Sequence, residues 1–217
     1  FTQHVVVNVA KIINMRDDPE LAESVKSCDI INIDGMGVVL GARFLGHEVP
    51  ERVAGIDLFY HLLAMASERR YPVFLLGARP DIVDQARSNL QATYPGLAIA
   101  GHHHGYFWDD EEAMVEAIRA SGARLLFVAI TSPRKENFIN RWRNRLGVDF
   151  VMGVGGTFDI VAGKTRRAPI WMQRFGLEWL YRVLQEPRRM WKRYLVSNLL
   201  FAWLLIRARW AQAIKKR

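Results

Sequence analysis

Apolar positions fall in short blocks separated by longer stretches of mixed polarity. "VVVNVA" (5–10), "DIINID" (29–34), "YPVFLLGA" (71–78), the start of "LAIAGHHHGYF" (97–107), "RLLFVAIT" (124–131) and "DFVMGVGG" (149–156) predict strands. "LLFVAI" is apolar throughout, as a strand covered on both faces requires. The intervening segments read as helices. "DPELAESVKSC" has Asp18 as N-cap and Pro19 at its first position. "GIDLFYHLLAMASERR" carries apolar residues at 58, 59, 62, 63 and 66. "PDIVDQARSNLQATYP", "DDEEAMVEAIRASG" and "SPRKENFINRWRNRLG" complete the set; acids open the second of these, where the helix dipole favours them. Six strands separated by helices predict right-handed crossovers and a mostly parallel, Rossmann-like α/β sheet. Beyond residue 164 the pattern turns helical and basic. The predicted organisation is an α/β core over 1–163 and a basic helical appendage over 164–217.

Charge sharpens that division. Residues 164–217 hold 14 Lys and Arg against 2 acids, a net +12, while residues 1–163 hold 16 basic and 20 acidic side chains, a net −4. A mildly acidic body with a strongly basic tail predicts a polyanionic partner for the tail, either nucleic acid or an anionic membrane face. Within the tail, "YLVSNLLFAWLLI" (194–206) is free of charge, but its 13 residues are short of the roughly 20 that a spanning helix needs. Trp179, Trp191, Trp203 and Trp210 lie in the same tail, with Trp171 just before them. Indoles and Arg/Lys around a short apolar helix predict an interfacial anchor. The plain alternative is a helix packed on the body with a solvated basic face. Nucleic acid leaves "LLFAWLLI" unexplained and is not expected as a partner. The single cysteine, Cys28, excludes an internal disulfide, points weakly to a reducing compartment and reads as a packed thiol. The chain opens directly in a strand-like run, with no signal peptide in view.

In a parallel sheet, ligands bind beyond the carboxyl ends of the strands. The residues there are Asn8, Asp34 to Gly37, Gly77 to Arg79, "GHHHGYF", Ser132 to Glu136 and "GVGGTFD". Asp34 is the sole acid at its strand tip and is followed at once by glycine. "GVGGTFDIVAG" (153–163) offers backbone amides for close approach to a phosphate or base, or serves only as a turn. It is not a dinucleotide fingerprint: the third glycine would fall at Phe158, or at Leu40 counted from Gly35 and Gly37. No Walker A string occurs. Three successive histidines, His102 to His104, point in different directions on any regular backbone and lack an evident spaced carboxylate partner, so no metal site is expected. His4, His47 and His61 read as surface or packing residues. Glu136 opens a helix, as a cap or as a ligand contact, and Lys135 beside it faces an anion or water. Arg52, between Pro50 and Gly55, is a fork suited to a diphosphate, or an ordinary surface arginine.

The ordered strings "DGMGVVLGAR", "ERVAGID", "FLLGARP", "GHHHGYF", "SPRKEN", "GVGGTFDIVAGKTRRAP" and "GLEWLYRVLQEPRRMWKRY" resemble the WecG/TagA/CpsF family, glycosyltransferase family 26, over about residues 5 to 205. The resemblance implies a cytoplasmic enzyme peripheral to the bacterial inner membrane. Such an enzyme moves a sugar from a UDP-sugar to a polyprenyl-diphosphate-linked sugar, with inversion and without a metal ion or other cofactor. Asp34 matches the acid of the family's "DG" motif, the proposed general base. Arg52 matches the Arg of its "RVxGxD", Asp57 the Asp, Asn8 the Asn after the first strand, and Asp159 the acid of its "GxFD". Expected donor contacts are Asn8, Gly77, Gly105, Tyr106, Pro133, Lys135, Glu136, Gly155, Gly156 and Asp159. Expected contacts to the acceptor, its diphosphate or the anionic lipids of the inner membrane are Asp57, Arg166, Arg167, Arg188, Arg189, Trp191, Trp203 and Arg207. Family members carry further residues ahead of the strand matched by "HVVVN", so the N-terminus here is expected to be truncated.

Two positions depart from the family pattern. Val6 stands where a Thr is usual, and Lys135 where a Gln is usual; a Lys adds a point charge and loses an acceptor. These departures suggest a subgroup with a different sugar, such as the exopolysaccharide glucosyltransferases of the GumM type. One base suffices for an inverting transfer, in contrast to the paired carboxylates of glycoside hydrolysis, and no second acid flanks Asp34 in sequence. A catalytically inactive, membrane-associated nucleotide-sugar-binding module is the alternative. Self-association into a homo-oligomer stays open, with no residue pattern of its own.

Overall fold

A computed structural model of the chain describes residues 1–215, with the side chains of Arg189, Arg193 and Lys215 outside that description. Six strands form one sheet: β1 (Thr2–Val7), β2 (Ile30–Ile33), β3 (Val73–Gly77), β4 (Ile99–His103), β5 (Leu125–Ala129) and β6 (Phe150–Gly153). Their order is β2-β1-β6-β5-β3-β4, and the ladders β1–β6, β6–β5, β5–β3 and β3–β4 are parallel. The parallel α/β expectation holds. Eleven helices accompany the strands among the described residues.

The chain divides into two compact units, both discontinuous in sequence. The first comprises Phe1–Val5, Glu20–Ile31 and Gly55–Arg166. In it, β3 and β5 are buried at every position, because each face of the sheet meets helices. One face carries Val73, Leu75, Phe127 and Met152, which pack with Phe59 and Leu63 of α4 (Gly55–Arg69) and Val83 and Leu90 of α5 (Pro80–Thr93). The other carries Phe74, Leu76, Leu126 and Val128, which pack with Val115 and Ile118 of α6 (Glu111–Ala120) and Phe138 of α7 (Arg134–Trp142). That period-two split of continuous apolar runs is the physical reason for their sequence pattern. α6 is capped by Asp110, which accepts from the Ala113 N–H at 2.9 Å. Cys28 is buried, its thiol against the Ser24 carbonyl at 3.2 Å.

The second unit comprises Val6–Pro19, Asn32–Ala54 and Arg167–Arg217. Two of its helices differ from the sequence expectation. The first strand ends at Val7, and Val9–Asp17 is a helix (α1) where "VVVNVA" predicts strand to residue 10. Asn8 is its N-cap: the side-chain oxygen accepts from the Lys11 N–H at 3.0 Å, which halts the extended run. A further helix, α3 (Met36–Phe44), follows Gly35, over residues to which the sequence pattern assigns no element. Its glycines allow close packing. A Cβ on Gly37 would lie 2.8 Å from Val9, and one on Gly41 2.8 Å from Phe201.

Two short helices, α9 (Ile170–Arg174) and α10 (Glu178–Gln185), lead to α11 (Pro187–Lys215). The charge-free run 194–206 lies wholly inside α11, which packs against α1 and α3. Phe201 and Leu205 sit over Gly41, and the Arg209 guanidinium lies 6.0 Å from the Phe44 ring. Other apolar residues of the helix face solvent: Leu199 is 63% exposed, Trp203 51%, Ile206 54% and Trp210 71%. Among the described residues, no helix is long and apolar enough to cross a membrane.

Candidate functional site

In the first unit, the carboxyl ends of β3, β5 and β6 stand in register, with Gly77 opposite Ala129 and Val128 opposite Gly153. Gly77 takes φ +124°, and a Cβ there would lie 2.4 Å from the Ala129 carbonyl oxygen, so only glycine fits. The turn then places the Gly105 N–H on the Ala78 carbonyl at 2.9 Å, which joins the "GHHHGYF" loop to the end of β3. Tyr106 projects from that loop, largely exposed, and its N–H donates to His104 Nδ1 at 3.2 Å. Pro133, after a cis peptide bond from Ser132, is the N-cap of α7. Gly155, at φ +54°, and Gly156 connect β6 to α8 (Thr157–Val161). Gly77, Gly105, Pro133, Gly155 and Gly156 thus share one edge of the sheet.

The polar residues of this edge have definite partners. Lys135 is buried, and its ammonium lies 2.7 Å from Glu136 Oε1, with 8% and 2% of the two side chains exposed. Its stem crosses Gly153, where a Cβ would fall 2.5 Å from Lys135 Cε. Lys135 therefore faces neither water nor an open groove. Glu136 does not cap α7; it is the counter-charge of Lys135. Asp159 pairs with Lys164 at 3.2 Å, and its carbonyl accepts from the Lys164 and Thr165 N–H groups. Asp57 lies in the first turn of α4, where its carbonyl meets His61 Nδ1 at 2.8 Å. Arg166 is exposed. His102 has a carboxylate partner after all: its Nε2 lies 2.9 Å from Asp84 Oδ1, supplied by α5 rather than by any nearby sequence position. Among the described residues, no group of three or more His, Cys, Asp or Glu side chains is arranged to hold a metal ion.

The second unit gathers the remaining expected residues. The Asp34 N–H donates to the Val7 carbonyl at 3.0 Å, and Gly35, the N-cap of α3, lies against Asn8: a Cβ there would be 3.1 Å from the Asn8 Cβ. Asn8 and Asp34 are thereby held at the tips of adjacent strands. The Val53 N–H donates to the Ile33 carbonyl at 3.0 Å and brings the "ERVAG" loop alongside. From that loop Arg52 Nη1 reaches the Asp34 carbonyl oxygen and Glu178 Oε2, each at 3.4 Å. Arg167 Nη2 stands 3.7 Å from Glu178 Oε1.

Glu178 was missed in the sequence because nothing in "GLEWLYR" separates it from a first-turn acid of an ordinary helix. It adds a second acid to the neighbourhood of Asp34. Arg188 and Trp191 are exposed near the start of α11, while the side chain of Arg189 lies outside the described residues. Trp203 is half-exposed and carries the Arg207 guanidinium 5.5 Å from its ring.

Known sequences decide the class. The family described as "Glycosyl transferase WecG/TagA/CpsF family" matches residues 2–215. The chain belongs to this family. Family membership is carried by nearly the whole described chain, both units included. Among its relatives is an N-acetylglucosaminyldiphosphoundecaprenol N-acetyl-beta-D-mannosaminyltransferase of Bacillus subtilis (strain 168). It is 35% identical over 178 residues, which cover 82% of this chain and 69% of that protein. The enzyme of the same name from Bacillus spizizenii is 36% identical over 178 residues, covering 82% of this chain and 68% of that protein. Members of the family are glycosyltransferases, and these two relatives act on a sugar linked through a diphosphate to undecaprenol.

Proposed function

We propose that this chain is an inverting glycosyltransferase that moves a sugar from a UDP-sugar to a polyprenyl-diphosphate-linked sugar. It works at the cytoplasmic face of the bacterial inner membrane, in surface or exopolysaccharide synthesis. The observation that carries this reading is the grouping in the second unit. The carboxylate residue Asp34, the amide residue Asn8 and the Arg52 guanidinium converge where β1 and β2 end. In the proposed chemistry, Asp34 takes the proton of the acceptor hydroxyl as its oxygen attacks C1 of the donor sugar. The bond from C1 to the diphosphate oxygen breaks on the opposite face, and its electron pair leaves with UDP. Guanidinium groups, Arg52 first, take up the charge that develops on the leaving group. No covalent sugar intermediate forms, so a single base suffices.

A free Asp has a pKa of about 3.9 and is a weak base at neutral pH. General-base help is worth roughly 100- to 10,000-fold, and the remaining rate comes from positioning and charge stabilisation. Membrane attachment is assigned to α11, through exposed Leu199, Trp203, Ile206 and Trp210 beside Arg207.

The deciding experiment is acceptor-dependent UDP release with a panel of UDP-sugars, UDP-N-acetylmannosamine and UDP-glucose among them, on a lipid-diphosphate glycan. Asp34→Asn should keep the fold and UDP-sugar binding and lose roughly 100- to 10,000-fold in turnover. Near-normal turnover in that variant would remove Asp34 from the base role.

A further inference from the structure

Glu178 is held in an unusual way for an acid at the start of a helix. Its two oxygens are divided between two guanidinium groups, Oε2 with Arg52 at 3.4 Å and Oε1 with Arg167 at 3.7 Å. All three side chains are mostly withdrawn from water, with 16%, 26% and 23% of Arg52, Arg167 and Glu178 exposed. Both separations exceed the roughly 2.7–2.9 Å of a well-made charge-assisted bond. Oε1 is buried and accepts no hydrogen bond among the described residues. A carboxylate therefore sits between two cations without closing properly on either. A group with more oxygens and a wider span would satisfy both forks at once, and phosphate is the group whose geometry guanidinium matches in pairs.

The surroundings allow Glu178 to leave. It is in the first turn of α10, a helix with no buried residue, and Gly176, at φ +70°, precedes it by two positions. Arg52, in contrast, is tied to the Asp34 carbonyl. Arg52 is held from the Asp34 side, and the anion is carried on an element with no buried residue.

We propose that Arg52 and Arg167 form a seat for a substrate diphosphate, and that Glu178 fills this seat in the ligand-free chain and is displaced on binding. This rests on the glycosyl-transfer reading above, in which both donor and acceptor carry a diphosphate. Glu178 is a positioning residue: it keeps two like charges together before substrate arrives. Its cost is apparent affinity, since only the fraction of molecules with Glu178 withdrawn is competent to bind.

The test is calorimetric titration of the full chain with inorganic pyrophosphate, UDP and farnesyl diphosphate, on the native sequence, Glu178→Gln and Glu178→Gln/Arg167→Met. Two partly exposed pairs are lost in the first variant, so pyrophosphate should bind roughly tenfold more tightly to Glu178→Gln. The gain should vanish in the double variant. Glu178→Gln should also melt at a lower temperature, because the guanidinium groups lose their counter-charge, and pyrophosphate should restore the loss. UDP gaining with pyrophosphate assigns the seat to the donor, and farnesyl diphosphate gaining assigns it to the acceptor. Unchanged or weaker pyrophosphate binding in Glu178→Gln overturns the proposal, as does absence of binding to every form. Neither result touches the transfer reading, which fails only if no UDP-sugar and lipid-diphosphate acceptor support UDP release.

Discussion

Replacing Lys135 by Met tests how the first unit holds together the end of its sheet where β5 and β6 stop. The Lys135–Glu136 pair is 2.7 Å long with 8% and 2% of the side chains exposed, so water screens it little. Met keeps most of the stem that crosses Gly153 and removes the charge. Glu136 is left as a buried carboxylate without its ammonium, and breaking a buried pair from one side costs about 3–5 kcal/mol. For a chain of this size that corresponds to a fall in Tm of about 6–20 °C, at about 2–4 °C per kcal/mol. The double variant Lys135→Met/Glu136→Gln removes both charges and should recover most of the loss, because an absent pair costs far less than a broken one. Lys135→Gln, which retains a donor, should fall between. The assay is urea unfolding followed by tryptophan fluorescence and circular dichroism, with coincidence of the two probes as the two-state check. A loss below about 1 kcal/mol in Lys135→Met would refute the reasoning, since it would mean that the pair behaves as a solvent-exposed one.

Further expectations follow from other parts of the molecule. Replacing Leu199, Trp203 and Ile206 together by Glu should free the protein from sedimenting liposomes that contain anionic lipid; full retention would argue against α11 as the anchor. These exposed positions test the anchor better than deletion beyond residue 190, which would also strip Phe201 and Leu205 from Gly41. Treatment with EDTA should leave transfer unchanged, as guanidinium groups are assigned the charge on UDP; loss of activity restored by a divalent cation would reverse that assignment. Glu116 has its pKa lowered, chiefly by hydrogen bonding to Arg145. A depressed carboxylate stabilises the fold above its unfolded value, and that contribution is lost as pH falls through the lowered value. Glu116→Gln should therefore remove a small, salt-sensitive part of the stability loss below about pH 4.5, seen by comparing thermal melts at low and high salt. An identical pH profile in the variant would show that the pair contributes nothing.

The parallel sheet was legible because burial on both faces forces whole strands to be apolar, and β3 and β5 are the plainest cases. What escaped were elements decided by tertiary packing. α1 begins where Asn8 caps it, but the apolar run that precedes Asn8 continues past it in sequence, so no local break marks the change. α3 carries glycines at 37 and 41, which lower helix propensity. They are there because Val9 and Phe201 occupy the space of a Cβ, a contact no local window contains. The site divided in the same way. Residues at strand tips, Asn8 and Asp34 among them, could be placed by topology alone, whereas the contact of Arg52 with the Asp34 carbonyl could not. Pairings set by the fold could not be read: Lys135 with Glu136, His102 with Asp84, and Glu178 with two arginines.

The discontinuity of the second unit bears on how the protein is made. The first unit is complete in sequence by Arg166, whereas the second also needs residues 167 onward. Until these are made, the surface around Gly41 has no Phe201 or Leu205 to cover it, and Arg52 has neither Glu178 nor Arg167 beside it. Contacts this distant in sequence are slow to close and leave apolar surface open meanwhile. The proposed base can therefore be present on a nascent chain long before its ionic surroundings exist. In the proposed mechanism, the charged groups around Arg52 are then complete only once the chain has been made through Glu178.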